Sequence, residues 1–275
     1  MFFKYSKQIG SVLIAILVAG CGDGDSRSEP DLQITSASVQ YSKKMIVTIT
    51  GADLEQVNTA SITKCSGLSL EPTSTSTQRN ISCTVSGTGE LSVELKDDAG
   101  SVLASKTFKV PEPRVKMSTS LGDIIVELNP TAAPVTVNNF LRYVSSGFYS
   151  DTLFHRVTGF VAQGGWLTTE PAIKAGTLAP ISLESNNGLS NVRGSIGMAR
   201  TTEANSATSQ YYFNLLDNPG LNYVSDAQPG YAAFGMVVEG LNVLDAIGSV
   251  PIESKYGLSK VPVDNLILLS AEQVQ

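Results

Sequence analysis

Histidine and cysteine are scarce in this chain: one His and three Cys among 275 residues. An all-protein zinc site takes four nitrogen or sulfur ligands at short spacing, so most such sites are excluded. No C-x-x-C pair occurs, so a dithiol redox enzyme has no support. Charged residues make up only 16%, against 42% hydrophobic, which excludes a disordered chain or a coiled coil. Basic residues are in deficit, 19 Lys+Arg against 25 Asp+Glu, for a net charge of −6. Phosphate binding needs a basic face, so no nucleic-acid partner is expected. No apolar run reaches the ~20 residues needed to span a bilayer.

The length predicts roughly two domains of about 150 residues. Ahead of them stands a targeting segment. Lys4 and Lys7 precede an apolar run over 9–19, broken only by Gly10 and Ser11. That is the length of a signal-peptide core. The run ends Leu17-Val18-Ala19-Gly20-Cys21, which resembles a bacterial lipoprotein box. The resemblance implies removal of a signal peptide over 1–20 and lipidation of Cys21. More than one acyl chain would then anchor the protein firmly in a membrane. It also implies a periplasm-facing place in the bacterial cell envelope, with Gly22 permissive for the outer membrane. An ordinary secretory signal with a chance Cys is the alternative. Residues 21–30 are small and polar and read as a tether. Asp23-Gly24-Asp25 lacks the later Gly and closing Glu of a calcium loop, and no metal is expected. Cys65 and Cys83 remain. An even pair in an exported chain reads most simply as one disulfide, with two free buried thiols as the alternative.

Residues 31–110 are rich in Ser and Thr, with Pro72 the only interior proline. Short β-forming runs recur at 32–34, 45–49, 60–64, 81–85, 91–95 and 102–110, which predicts a small β-sandwich. VTITGADL (47–54) resembles the start of an Ig-like domain. No chemical constellation appears there, so a spacer or binding module is expected. Pro111-Glu112-Pro113 breaks the pattern, and 111–114 is taken as a linker.

The second domain is expected over 115–275. Runs at 115–118 and 124–128 flank a hairpin turn. Pro134 opens a helix in which Val137, Phe140, Leu141 and Val144 fall at i, i+3, i+4 and i+7. Gly147 is placed for a left-handed cap. Strands are predicted at 153–157, 160–163, 194–199, 211–215, 232–238 and 266–271, and a short helix at 241–247. The whole chain is therefore expected to be mainly β: the small Ig-like sandwich, then a closed antiparallel barrel with two helices.

Here the motifs become specific. FHRVTGFVAQGG (154–165), GSIGMAR (194–200), NSATSQYYFNLLDN (205–218) and YAAFGMVVEG (231–240) follow in order. With SLGDIIVELNPTAAPVTVNNFLRYVSSGFY (120–149), they resemble the cyclophilin family of peptidyl-prolyl isomerases, in its periplasmic bacterial branch. The resemblance covers about 115–274. It implies an eight-stranded barrel capped by two helices, prolyl cis–trans isomerisation without a cofactor, and proline-containing polypeptides as clients. Assisting the folding of exported proteins is the expected role, with a proline-peptide chaperone or scaffold of weak or no turnover as the rival.

Residue by residue, the resemblance places Arg156, Phe160 and Gln163 as catalytic. It places Val161, Ala199, Arg200, Gln210, Tyr212, Leu221 and Tyr231 as substrate-binding. The chemistry agrees. Rotation about an X–Pro amide faces a barrier of about 18–20 kcal/mol, and a thousand turnovers per second needs roughly 7 kcal/mol removed. No bond is made or broken, so a dry proline pocket and a donor aimed at the twisting nitrogen suffice. A guanidinium is such a donor and keeps its charge. A surface or salt-bridged Arg156 is the alternative. His155 is read as structural rather than as a base.

Three positions depart from the family pattern. One residue is missing between Arg156 and Gly159-Phe160, and a one-residue shift in a strand swaps faces unless a turn absorbs it. Tyr212 stands where Phe is usual and brings a hydroxyl that needs a partner. Gly220 stands where a pocket aromatic is usual.

Overall fold

The computed structural model describes residues 2–4, 32–51 and 54–275. The apolar run at 9–19, Cys21 and the tether lie outside the described residues. The chain divides into two compact units, Met1–Val110 and Pro111–Gln275.

The first unit holds two four-stranded antiparallel sheets. One runs β2 (Gln33–Ser36), β3 (Lys44–Thr50), β6 (Gln78–Val85), β5 (Cys65–Leu70). The other runs β1 (Phe2–Lys4), β4 (Thr59–Ile62), β7 (Gly89–Lys96), β8 (Val102–Val110). β1 falls inside the segment that the sequence expects to be cleaved. Alternate residues are buried, as a sheet with one covered face requires: Met45, Val47 and Ile49 on β3, and Leu91, Val93 and Leu95 on β7. β5 was not evident in the sequence. It pairs with β6 through a bulge between Ser66 and Ser69. Cys65 and Cys83 are joined across these two strands as a disulfide, so the paired reading holds. Closing a loop of that size contributes about 3 kcal/mol in the chain-entropy account.

The second unit is built on one antiparallel sheet. Its strands are β9 (Arg114–Thr119), β10 (Gly122–Leu128), β11 (Thr152–Leu153), β12 (Arg156–Val157), β13 (Val161–Gly164), β14 (Ser195–Met198), β15 (Tyr211–Asn214), β16 (Ala233–Glu239) and β19 (Ile267–Gln273). A separate hairpin, β17 (Ile252–Lys255) with β18 (Leu258–Pro262), was not foreseen. The order is β11-β19-β9-β10-β16-β14-β15-β13-β12. This corrects the expected closed eight-stranded barrel. There are nine strands, and the end strands β11 and β12 do not pair. Only Phe154 and His155 separate them along the chain, so the sheet must curl until its two edges meet at that dipeptide. The run 153–157, read as one strand, is thus two edge strands and the corner between them.

Helix α1 (Pro134–Ser145) buries Val137, Phe140, Leu141 and Val144 as its spacing predicts. Its N-cap, Ala133, offers no side-chain acceptor. Glu184 supplies one from a distant loop: its carboxylate accepts from the Val135 and Thr136 amides at 3.0 and 2.8 Å. Such an anion at a helix N-terminus satisfies otherwise orphaned donors. Gly147 leaves the helix at φ 68°. α2 (Leu241–Gly248) buries Leu244 and Ile247. Inside the sheet's curl the core is aromatic. Phe140 lies 5.1 Å from Tyr149 and 5.3 Å from Phe234, and Tyr149 lies 5.3 Å edge-on to Tyr211. These ring contacts fix the inner face of β15, and so the side chains on its opposite face.

Candidate active site

Alternation along β13 and β15 sorts the two faces. Ala162 and Phe213 face the core, while Gln163 and Tyr212 face the other way. Register then carries that outer row across four strands: Arg156 opposite Gln163, Gln163 opposite Tyr212, Tyr212 opposite Gly197. The four residues come from three separate motifs and share one face.

The missing residue is absorbed in the β12–β13 turn. Thr158 N–H donates to the Val161 carbonyl at 2.9 Å, and the Thr158 hydroxyl oxygen accepts from the Val161 amide at 3.0 Å. This tight turn leaves Arg156 directly across from Gln163, so its face is unchanged. Phe160 sits at the tip, 40% exposed, and Val161 beside it is buried.

Arg156 is half-buried, and no described carboxylate or carbonyl holds its guanidinium. The neighbouring amides are committed to each other: Gln163 Nε2 donates to Gln210 Oε1 at 2.9 Å. Ala199 N–H donates to the Gln210 carbonyl at 2.9 Å, which extends the β14–β15 ladder toward the rim. Arg200 is the opposite of Arg156. Its Nε and Nη2 donate to the Gly230 carbonyl at 3.0 and 2.8 Å, and Nη1 donates to the Thr201 carbonyl at 2.8 Å. Its guanidinium also lies 4.7 Å from the Tyr231 ring centroid. Tyr231 stands edge-on to Tyr212, centroids 6.0 Å apart, and its N–H donates to the Leu221 carbonyl at 2.9 Å.

His155 lies beneath, 4% exposed and 5.2 Å edge-on from Trp166. Burial first, and the neighbouring Arg156 charge after it, push its imidazole down to about 4. It is neutral near pH 7 and serves as a packed ring. Burial pushes the Tyr212 phenol far up, so it stays a donor.

Residues 114–273, all within the second unit, match the family described as cyclophilin type peptidyl-prolyl cis-trans isomerase/CLD. The chain belongs to the cyclophilin family. A peptidyl-prolyl cis-trans isomerase of Streptomyces antibioticus is 47% identical over 161 residues, covering 58% of this chain and 96% of that one. Isomerase B of Escherichia coli (strain K12) is 42% identical over 160 residues, covering 57% and 96%. Among solved structures, a cyclophilin type isomerase of Cryptosporidium parvum superposes with a TM-score of 0.50 at 25% identity, over 60% of this chain and 98% of that one. Prolyl cis–trans isomerisation is accordingly the reaction class of this cyclophilin.

Against the family pattern, the structure accounts for two of the three departures. The shortened turn keeps Arg156 in the row. Tyr212 lies across Gly197, where an added Cβ would come within 2.3 Å of its Cζ, and its hydroxyl donates to Asn191 Oδ1 at 2.6 Å. Gly220 remains open: a Cβ there meets nothing within 4 Å. Tyr223, the nearby ring, is tied through its hydroxyl to Asp226 at 2.9 Å. Sequence reading missed Asn191, which sits among Ser, Asn and Gly and reads as loop.

Proposed function

We propose that this cyclophilin isomerises X–Pro bonds of exported polypeptides at the bacterial envelope, held there through a lipidated Cys21. The Ig-like reading of the first unit makes it a spacer between anchor and enzyme. In the proposed mechanism the proline ring enters against Tyr212, Val161 and Leu221. As the amide twists, the lone pair localises on the prolyl nitrogen, and an Arg156 N–H donates to it. That bond is stronger in the twisted state than in either planar one, which is the condition for lowering the barrier. Gln163 and Gln210 orient Arg156 or donate to the carbonyls of the bound chain.

The observation that carries this reading is the Arg156 guanidinium, half-buried and uncommitted on the same face as Gln163 and Tyr212. An NMR exchange assay on a proline tetrapeptide tests it: fast exchange with the intact protein supports the enzyme. Binding without acceleration would favour the chaperone reading, for which the open space at Gly220 speaks. The anchor is tested by fractionating Cys21→Ser, expected to be soluble or unprocessed. Equal membrane retention of that variant would refute lipidation.

A further inference from the structure

Three of the assigned pocket positions converge on one residue that carries no assigned role. Asn191 is 1% exposed, and every polar group of its side chain is used. Its Oδ1 accepts from the Tyr212 hydroxyl at 2.6 Å and from Asn214 Nδ2 at 3.2 Å. Its Nδ2 donates to the Leu221 carbonyl and to Asn222 Oδ1 at 3.1 Å each, and to the Tyr231 carbonyl at 3.3 Å. Its own N–H donates to Asn222 Oδ1 at 2.7 Å, and its carbonyl accepts from the Asn218 amide at 2.8 Å.

We propose that Asn191 is a positioning residue: it locks the Tyr212 ring and the Leu221 and Tyr231 backbones into one pocket geometry. The proposal rests on the proline pocket lying on this face. An amide suits the task because it alone presents an acceptor and two donors in a fixed plane. The phenol hydroxyl of Tyr212 is what gives this pocket floor its hydrogen bond to the rim; a phenylalanine would rest on packing alone. The bare backbone of Gly197 lets the ring lie flat enough for that hydroxyl to reach Asn191. Because the network is buried, each half-satisfied member is costly, so the segments move together or not at all. Asn191 touches no substrate. It acts on how often the pocket is ready, and so on binding more than on the twisting step.

The test measures two quantities by NMR on the full-length protein with a proline tetrapeptide: the dissociation constant and the on-enzyme exchange rate. Asn191→Ala is expected to weaken binding five- to tenfold, and Tyr212→Phe about threefold. With Asn191→Ala, exchange of the bound peptide stays within twofold of the parent. The double variant binds no worse than Asn191→Ala alone, because both changes break the same link. Parental affinity in both folded variants, even with lowered Tm, would leave Asn191 a merely structural residue and overturn the proposal. So would effects that multiply. If Asn191→Ala does not fold, Tyr212→Phe decides alone: unchanged affinity overturns the proposal and weaker binding supports it. Arg156→Ala runs beside them. If it keeps full exchange, the fault lies with the placement of the active site and not with Asn191.

Discussion

Two arginines of this cyclophilin lie near the same face and differ in how far the fold has used their donors. Arg156 rises from the short hairpin β12–β13 with its guanidinium uncommitted among the described residues. Arg200 hangs over the rim with its donors spent on the Gly230 and Thr201 carbonyls and its plane against Tyr231. Residue type does not separate them, and neither does partial burial. What separates them is whether the fold has already satisfied the donors. A guanidinium whose N–H groups are paired in the folded state has little left to give a developing lone pair, while a free one has a fork of them.

The largest effect that follows is on Arg156. Arg156→Ala should lower kcat/KM by about 10²–10³-fold, the range for removing one transition-state donor, with little change in Tm. Arg156→Lys should not rescue it, since a flexible ammonium cannot reproduce the fork. Full activity in Arg156→Ala, read in the exchange assay, would end the contrast between the two residues.

Next in size is the ring beneath Arg156. His155 is the single histidine of the chain, so side-chain titration near pH 6 is its own. Its pKa is about 4 in the folded state and near the ordinary histidine value of about 6.5 when unfolded. A depressed histidine takes up its proton more readily unfolded, so stability falls as pH drops below about 6.5 and levels off below about 4. The linkage amounts to about 2 kcal/mol by pH 5 and about 3 kcal/mol in full. Urea midpoints between pH 7 and 5 measure it. His155→Gln should flatten the profile; an unchanged slope in that variant would place the titration elsewhere.

Arg200 comes third, with the signature reversed. Arg200→Ala should cost about 1–2 kcal/mol of stability, from the lost bonds to loop carbonyls and the contact with Tyr231. Turnover of bound peptide should stay near that of the parent. A loss of turnover as deep as that of Arg156→Ala would show that both cations act on the amide.

How much of this was legible beforehand depends on how far each feature reaches along the chain. α1 is readable because its apolar positions repeat over about two turns, and Gly147 marks its end. The row Arg156, Gln163, Tyr212 was readable only through the motifs. Register between β12, β13 and β15 is set by pairing across the sheet, which no local pattern encodes. The corner at Phe154-His155 was unreadable, because two-residue strands are too short to show a period. The Glu184 cap and the Asn191 hub failed for another reason. Their partners lie tens of residues away, and polar residues in a Ser/Asn-rich stretch look the same whether they face water or knit loops together. The motif places Arg200 at the rim of the substrate site, but nothing local encodes its hydrogen bonds to the Gly230 and Thr201 carbonyls.

The smallest expected change is the recovery of inhibitor binding in a variant of the rim at Gly220, on Arg200's side of the contrast. The family's aromatic at this position covers one flank of the pocket and, as Trp, donates to the inhibitor cyclosporin. Gly220 offers neither. An aromatic side chain buries 150–250 Å² as a class, and losing about 50–100 Å² of it at 25 cal/mol/Å² weakens binding by roughly 1–2.5 kcal/mol. A lost hydrogen bond adds about 1 kcal/mol. Together these predict cyclosporin affinity one to three decades below that of cyclophilins with the ring. Tyr223 is the candidate to fill the gap, and its hydroxyl is held by Asp226 in the turn 223–226. The backbone at Gly220 has no left-handed φ, and a Cβ there meets open space. Gly220→Trp should therefore fold and recover up to about tenfold in affinity, since a new exposed ring gives back only part of the contact. An inhibitor titration of the parent, Gly220→Trp and Asp226→Ala separates the cases. Tight binding by the parent that Asp226→Ala alters would show that Tyr223 already forms the missing flank, and that the rim at Gly220 is not open to an inhibitor.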